Sequence, residues 1–214
     1  MNDPLRPFDT DHVKHSIGGF TGHALRRATH MVMAIIPLIY YARGVEISEY
    51  LGMNPHQLVS SIIITLIVIE ALRIKMGIVV IGQREYEAKQ ISALAWGGFA
   101  VALALLIAPD NGKTGLESGL YGIPLIFGLT FVDPIMGEIK RKKQDLKSAI
   151  WAGMLTSYAV WIGCHFWIGT PLVISLLLAP LTVLGEVPSL KYIDDNATMV
   201  LIPLAALMIL LPII

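Results

Sequence analysis

The sequence predicts an all-α membrane protein of about seven transmembrane helices, and two observations support this fold class. The first is composition. Hydrophobic residues make up 55% of the 214 residues and the mean hydropathy is +0.66, above the ~45–50% apolar content of ordinary soluble domains. The second is the position of the charges, because nearly every acid and base gathers in alternate gaps between seven apolar stretches. Apolar stretches separated by charged gaps are typical of helices that cross a bilayer.

The seven apolar stretches approach the ~20 residues that a helix needs to cross a bilayer. They are Ala24–Tyr41, Leu58–Ile81, Ile91–Ala108, Leu116–Met136, Ser148–Ile168, Leu172–Gly185 and Ala197–Ile214. The sixth is short and contains Pro180. Since proline removes a backbone donor and clashes with the preceding turn, this span is expected to be broken or tilted.

The basic residues predict the orientation. If the N-terminus is cytoplasmic, all 16 Lys and Arg residues except Arg43 and Lys113 lie on the cytoplasmic side, as the positive-inside rule requires. An odd number of spans then places the C-terminus outside. Residues 1–23 are polar and lack the apolar core of a signal peptide, so they are expected to be a cytoplasmic segment. Residues 24–214 are expected to form a single integral-membrane catalytic domain.

Several classes of site are disfavoured. The net charge is zero, whereas nucleic-acid-binding domains usually carry a basic balance. The chain contains no Gly-x-x-x-x-Gly-Lys-Ser/Thr loop, no Gly-x-Gly-x-x-Gly motif and no His-Glu-x-x-His motif. Its one cysteine, Cys164, lies in an apolar helix, so no intrachain disulfide and no cysteine metal cluster are expected. A nucleotide site would have to be built from helix ends, acids and arginines.

Asp133 is the most informative acid, because apolar residues flank it on both sides. Pro134 follows it and is expected to favour an extended or kinked backbone at Asp133. Gly137 would let a ligand approach the backbone closely. A basic run then begins at Lys140 and Arg141. A carboxylate suits magnesium, which binds one or two protein carboxylates together with phosphate oxygens, and the neighbouring cations suit the phosphates themselves.

A second group of acids lies around the last predicted inner loop. Glu186 ends one apolar stretch, and Asp194, Asp195 and Asn196 begin the next. Capping of a helix N-terminus explains one of the two aspartates. Several carboxylates close together repel each other unless a cation lies among them. The set therefore favours a metal site made of Asp133, Glu186, Asp194 and Asp195.

Further cations and one ion pair lie near these acids in the predicted topology. Arg26 and Arg27 open the first span, and Arg84 lies in the Gly82–Glu87 patch. An arginine presents a planar fork that matches phosphate. Glu70 and Arg73 lie three residues apart inside the second span, on one helical face. Two interpretations of Glu70 and Arg73 stay open: they form a structural ion pair, or they serve a function as polar groups.

Four segments, in chain order, resemble motifs of the CTP-dependent polyprenol kinase family, which includes dolichol kinase, phytol kinase and the CTP-dependent diacylglycerol kinase of yeast. The segments are 26–30 (Arg-Arg-Ala-Thr-His), 84–87 (Arg-Glu-Tyr-Glu), 133–138 (Asp-Pro-Ile-Met-Gly-Glu) and 186–196, which runs from Glu186 to Asp-Asp-Asn. The resemblance covers the chain from about Arg26 to its end. Three positions depart from the family pattern: Arg27 replaces a lysine, Val132 a glycine and Val200 a proline.

The resemblance implies an integral-membrane kinase that transfers the terminal phosphoryl group of CTP to the hydroxyl of a long-chain isoprenoid alcohol, with Mg²⁺ as cofactor. For this activity Asp133 and Asp195 are the expected catalytic residues; which carboxylate is the base and which bind the metal stays open, with Asp195 preferred as the base. The expected metal ligands are Asp133 together with one or more of Glu186, Asp194 and Asp195. The implied nucleotide-binding residues are Arg26, Arg27, Arg84, Gly137, Lys140, Arg141 and Asn196.

Two other functions stay open at this point. A CTP-dependent lipid-phosphate cytidylyltransferase would use the same metal and phosphate chemistry but release pyrophosphate. A small transporter would line a pathway with Glu70, Arg73 and Asp133, although the outer halves of the spans are nearly free of charge. For the kinase, the expected location is the cell membrane of a prokaryote or the endoplasmic reticulum of a eukaryote. Its active site is then expected to face the cytoplasm.

Overall fold

The structure is a computed structural model that describes residues 17–187, 190 and 192–213. Within these residues all regular structure is helical. The α-helices are α1 (Gly19–Met33), α2 (Ile35–Tyr50), α3 (Pro55–Met76), α4 (Ala93–Ile107), α5 (Gly122–Lys143), α6 (Leu146–Ile168), α7 (Leu172–Glu186) and α8 (Asp195–Leu210). Short 3₁₀ helices cover Glu85–Lys89 and Gly115–Gly119. The all-α class predicted from the sequence is confirmed.

Among the described residues, three helical stretches are long and apolar enough to cross a membrane. They are Gly19–Tyr50, which joins α1 and α2, together with α3 and α5. Helices α4, α7 and α8 are apolar but shorter. These stretches indicate a membrane protein. The seven-span topology and the orientation of the termini stay predictions.

The helix boundaries differ from the predicted ones mainly in the first and fourth spans. The fourth predicted span, Leu116–Met136, corresponds to α5, which begins at Gly122 and ends at Lys143. Helix α1 begins at Gly19, before the predicted start at Ala24, and α2 continues to Tyr50 instead of ending at Tyr41. The two helices are separated at Ala34, just before Pro37. Proline lacks an N–H and clashes with the carbonyl four residues earlier, so it interrupts the regular hydrogen bonding there. Most of the predicted segment 1–23 lies outside the described residues.

An extended backbone at Asp133, one of the two conformations expected from Pro134, is not found; a kink there stays a prediction. Helix α5 runs without interruption through Asp133 and Pro134 to Lys143, because the helices packed around it outweigh the single hydrogen bond that proline removes. Helix α7 likewise continues through Pro180 to Glu186. The basic run is therefore the last turn of α5, where cations interact favourably with the helix dipole.

The core is formed by α4 to α8, which pack around α5. Residues of α5 such as Ile126 and Leu129 are fully buried, as are Trp161 of α6, Leu178 of α7 and Met199 of α8. Helix α3 instead exposes most of its apolar side chains, including Ile64 and Ile69. An apolar helix surface exposed to this extent is expected where lipid is the neighbour.

Candidate functional site

Three carboxylates from distant parts of the chain meet in one cluster. Asp133 lies in the second half of α5, Glu186 is the last residue of α7 and Asp195 is the first residue of α8. One oxygen atom from each carboxylate lies within 4.8 Å of the other two. We call these three residues the carboxylate triad. The spacing is compatible with one cation shared among them.

Close packing of α7 against α8 brings two of the three carboxylates together. A Cβ atom added to Gly185 would lie 2.6 Å from the carbonyl oxygen of Thr198 and from the Cα atom of Met199, so only glycine permits this approach. The Thr198 hydroxyl also donates to the Gly185 carbonyl oxygen at 2.5 Å. The contact adjoins Glu186 in α7 and lies one turn from Asp195 in α8, and it therefore sets their separation.

Glu186 has an unsatisfied oxygen in a region rich in negative charge. Its side chain is 3% exposed, and Oε1 accepts from Lys140 Nζ at 2.8 Å. Its Oε2 atom is buried and has no hydrogen-bond partner among the described residues. Glu186 also ends a helix, where the terminal carbonyl groups carry partial negative charge. A buried carboxylate without compensation is costly, so Oε2 is a ready ligand for a cation.

The triad has the donor set that magnesium prefers. Mg²⁺ binds carboxylate oxygens and usually keeps positions for water and phosphate oxygens. Asp133 is 22% exposed at its side chain, and a Cβ atom at Gly137, one turn further along α5, would meet no atom within 4 Å. Asp133, Glu186 and Asp195 therefore fit a divalent cation that is accessible from one side.

Asp194, predicted as a fourth metal ligand, is not part of the triad. Its side chain caps α8, where Oδ1 accepts from the Asn196 N–H at 3.2 Å. Burial and the adjacent Asp195 carboxylate raise the pKa of Asp194 to about 8. The direction of this shift favours Asp195 as the charged member of the pair.

Asn196, predicted to contact the nucleotide, is buried. Its side-chain Nδ2 donates to the Ala93 carbonyl oxygen at 3.1 Å, and its Cβ packs near Gly97. These contacts join the beginning of α8 to the beginning of α4. The structure thus shows Asn196 in an interhelical hydrogen bond beside the site.

Helix α1 contributes Arg26 and His30, one turn apart, to the same region. Arg26 lies in the electrostatic field of four carboxylates, those of Asp194, Glu87, Asp133 and Asp195. The buried His30 places Nδ1 3.4 Å from Asp133 Oδ2 without hydrogen-bond geometry. Sequence reasoning assigned no role to His30, although its spacing of four residues from Arg26 placed it on the same face.

Arg27 and Arg141, both predicted to bind phosphate, meet at Glu138. Arg27 Nη1 lies 2.6 Å from Glu138 Oε2, and Arg141 Nη2 donates to Oε1 at 2.6 Å. Lys142 Nζ lies 3.2 Å from the same Oε1. Glu138 was not singled out in the sequence; its i, i+3 and i, i+4 spacing to the basic run was the available signal. This acid links α1 to the end of α5.

Arg84 lies on the segment between α3 and α4. Its Nη1 donates to the Tyr86 hydroxyl at 2.6 Å, and its backbone N–H donates to Glu87 Oε1 at 3.1 Å. The Arg84 charge also acts on Asp195. Arg84 is therefore close enough to the triad to contribute to its electrostatic potential.

The structure thus brings most of the predicted site residues together near the second half of α5, the end of α7 and the beginning of α8. The basic groups that contact the triad or act on it electrostatically include Arg26, His30, Lys140 and Arg84. Arg27 and Arg141 pair with Glu138, Gly137 adjoins open space, Asp194 caps α8 and Asn196 bonds to α4.

No protein-family model, curated protein or solved structure matches this chain. The resemblance to CTP-dependent polyprenol kinases therefore stays a prediction that depends on the motifs.

Proposed function

We propose that this chain is an integral-membrane lipid kinase that transfers the terminal phosphoryl group of CTP to the hydroxyl of a long-chain isoprenoid alcohol of the dolichol or polyprenol type. The observation that carries the proposal is the carboxylate triad, with an unsatisfied buried Glu186 oxygen and with Lys140 and Arg26 beside it. The nucleotide and the acceptor come from the resemblance. In this proposal the chain crosses the membrane about seven times, with the site on the cytoplasmic side.

The chemistry needs positioning and neutralisation of charge more than covalent participation of the protein. Asp133, Glu186 and Asp195 would hold Mg²⁺, whose charge compensates that of the phosphate oxygens. Arg26, Arg27 and Lys140 bind the nucleotide phosphates, with Arg84 and Arg141 nearby. Asp195 accepts the proton of the acceptor alcohol. The alcohol oxygen forms a bond to the terminal phosphorus, and the bond from this phosphorus to the bridging oxygen breaks, releasing CDP.

The position of the triad suits one water-soluble and one lipid substrate. Asp133 follows the apolar first half of α5 and precedes its charged last turns, whereas Glu186 and Asp195 flank a connection between helices. A lipid tail can remain between apolar helices while its hydroxyl reaches the triad. The nucleotide then approaches from the side where the basic turn of α5 lies.

The test is an assay of the purified protein in nanodiscs with Mg²⁺. Each of CTP, ATP, GTP and UTP is combined with farnesol, geranylgeraniol, dolichol or diacylglycerol. CDP together with an isoprenoid monophosphate is the expected result. The assay is repeated with a lipid phosphate as the acceptor, where pyrophosphate together with a CDP-lipid would replace the kinase by a cytidylyltransferase. Solute uptake by reconstituted vesicles without CTP hydrolysis would replace it by a transporter.

A further inference from the structure

Glu70 and Arg73 form a buried ion pair near the end of α3. Arg73 Nε donates to Glu70 Oε2 at 2.9 Å and Nη2 donates to Oε1 at 2.8 Å. Both side chains are less than 10% exposed. Charged groups inside apolar helices are costly and are retained mainly where they contact a polar partner. The contacts beyond the pair therefore show what it holds.

The pair binds both ends of the segment 77–92, which connects α3 to α4. Arg73 Nη1 donates to the Ile78 carbonyl oxygen and Nη2 donates to the Gln90 carbonyl oxygen, each at 2.8 Å. Glu70 Oε1 accepts from the Ser92 N–H at 2.6 Å. The beginning and the end of the segment are thus fixed to α3 by one ion pair.

The middle of this segment carries Glu87, which is 1% exposed. Its Oε2 accepts from the Ala93 N–H at 3.2 Å and its Oε1 accepts from the Arg84 N–H at 3.1 Å. Its Oε1 also accepts from Arg26 Nη1 at 3.4 Å. Glu87 therefore connects the segment to the guanidinium group that lies beside the carboxylate triad.

The beginning of α1 is also joined to this segment. The Ile17 N–H donates to the Gln83 carbonyl oxygen and the Gly82 N–H donates to the Ile17 carbonyl oxygen, each at 2.9 Å. A Cβ atom at Gly22 would lie 3.1 Å from the Gly82 nitrogen. The helix that carries Arg26 is therefore packed directly against the segment, and a shift of the segment would move Arg26.

We infer that Glu70 and Arg73 are positioning residues that hold Arg26 in place for the nucleotide phosphates, acting through the segment 77–92 and Glu87. The inference rests on the proposed function, because it assigns Arg26 a phosphate ligand. Neither Glu70 nor Arg73 contacts the triad. Their effect on the reaction is through geometry, since displacing a binding group by ~1 Å can cost about 10²-fold in rate.

The substitution Arg73→Lys tests whether Arg73 positions Arg26 for nucleotide binding without taking part in the phosphoryl transfer itself. A lysine ammonium lacks the fork that contacts Glu70 and two carbonyl groups at once. The KM for CTP is expected to rise by about tenfold or more, which corresponds to lost ground-state and transition-state binding. We expect kcat to change by less than about threefold, and the affinity of the triad for Mn²⁺, measured by electron paramagnetic resonance, to stay unchanged.

Two further variants keep the inference testable. Glu87→Gln should raise the KM for CTP in the same way, and combining it with Arg73→Lys should add little, because both changes act on Arg26 along one route. If Arg73→Lys does not fold, Glu87→Gln alone carries the test. Arg43→Lys is the matched control. Arg43 forms an exposed i, i+3 pair with Glu46 at 2.8 Å, and its replacement should leave the KM unchanged.

An unchanged KM for CTP in folded Arg73→Lys, with only a lower melting temperature, would overturn the inference. If the wild-type protein does not turn over CTP, the proposed function fails. Amide hydrogen exchange then tests separately whether the Glu70–Arg73 pair holds Arg26 in position. Faster exchange in Arg73→Lys at residues 82–93 and in the turn of α1 around Arg26 would support the link. Faster exchange that does not reach α1 would refute it.

Discussion

Two buried groups of charge, the Glu70–Arg73 pair and the carboxylate triad, differ in how their polar atoms are satisfied. Arg73 donates to Glu70 and to two backbone carbonyl groups, and Glu70 also accepts from a backbone N–H. In the triad three carboxylates face each other, and Glu186 Oε2 has no partner among the described residues. The polar atoms of the pair are satisfied within the protein, whereas the triad keeps an oxygen that could bind the cation of the proposed function.

This difference separates a structural charge group from a ligand site. Breaking a complete buried pair leaves an uncompensated charge and destabilises the protein. Removing the Glu186 carboxylate relieves its repulsion with Asp133 and Asp195 but also takes the ion-pair partner from Lys140. Substitutions of the same chemical type should therefore cost less stability in the triad than in the pair.

The largest effect is expected for Asp133→Asn. It removes a metal ligand without changing the size of the side chain, and we expect turnover to fall by about 10³-fold or more, or about 4 kcal/mol on the transition state. The measurement is the rate of CDP formation by folded protein. Asp110→Asn, in the exposed connection after α4, is the matched control and should retain the wild-type rate. Near-normal activity of Asp133→Asn would remove Asp133 from the catalytic site.

The next effect is a difference in size between two buried glutamates. Without divalent ions, Glu70→Gln is expected to destabilise the protein by about 3 kcal/mol. For Glu186→Gln, relief of the repulsion within the triad offsets the loss of the Lys140 ion pair, so a change of less than about 1 kcal/mol is expected. Thermal unfolding in EDTA measures both. Adding Mg²⁺ should then raise the melting temperature of the wild-type protein more than that of Glu186→Gln, because the cation binds the native triad. Equal destabilisation by both substitutions would contradict the comparison.

A smaller effect is expected for Gly185→Ala. The added methyl group would lie 2.6 Å from α8 backbone atoms, so α7 and α8 must separate and Glu186 must move away from Asp195. We expect Mn²⁺ affinity to fall by about tenfold, within the ~10–100-fold range for groups that orient metal ligands. Gly163→Ala is the control, because a Cβ atom there meets nothing within 4 Å. Equal Mn²⁺ affinity in the two variants would show that this contact does not set the site.

The smallest effect is expected for Lys143→Ala. Lys143 is exposed in the last turn of α5. If it is only an orientation charge, turnover should change by less than about twofold, as is usual for surface substitutions. Lys140→Ala is the comparison in the same turn. Lys140 bonds to Glu186, and its loss should reduce activity clearly more. Similar activities of the two variants would argue against a role for Lys140 at the triad.

The sequence by itself determined the helical class, the approximate helices and the residue types of the site. Apolar stretches, capping residues such as Asn54 and Asp194, and acids flanked by apolar residues are local signals, and local hydrogen bonding and hydropathy act over a few residues. These local signals are sufficient to identify Asp133, Glu186 and Asp195 as candidate ligands.

Tertiary packing decided which of these candidates meet. It kept α5 helical through Pro134 and turned Arg27 towards Glu138. It also placed His30 beside Asp133 and connected Glu87 to Arg26. No local rule could give these three contacts, because each joins residues far apart in the chain. Their distances depend on how closely whole helices approach, as at Gly185, where the absence of a side chain lets α7 and α8 bring two carboxylates to one point.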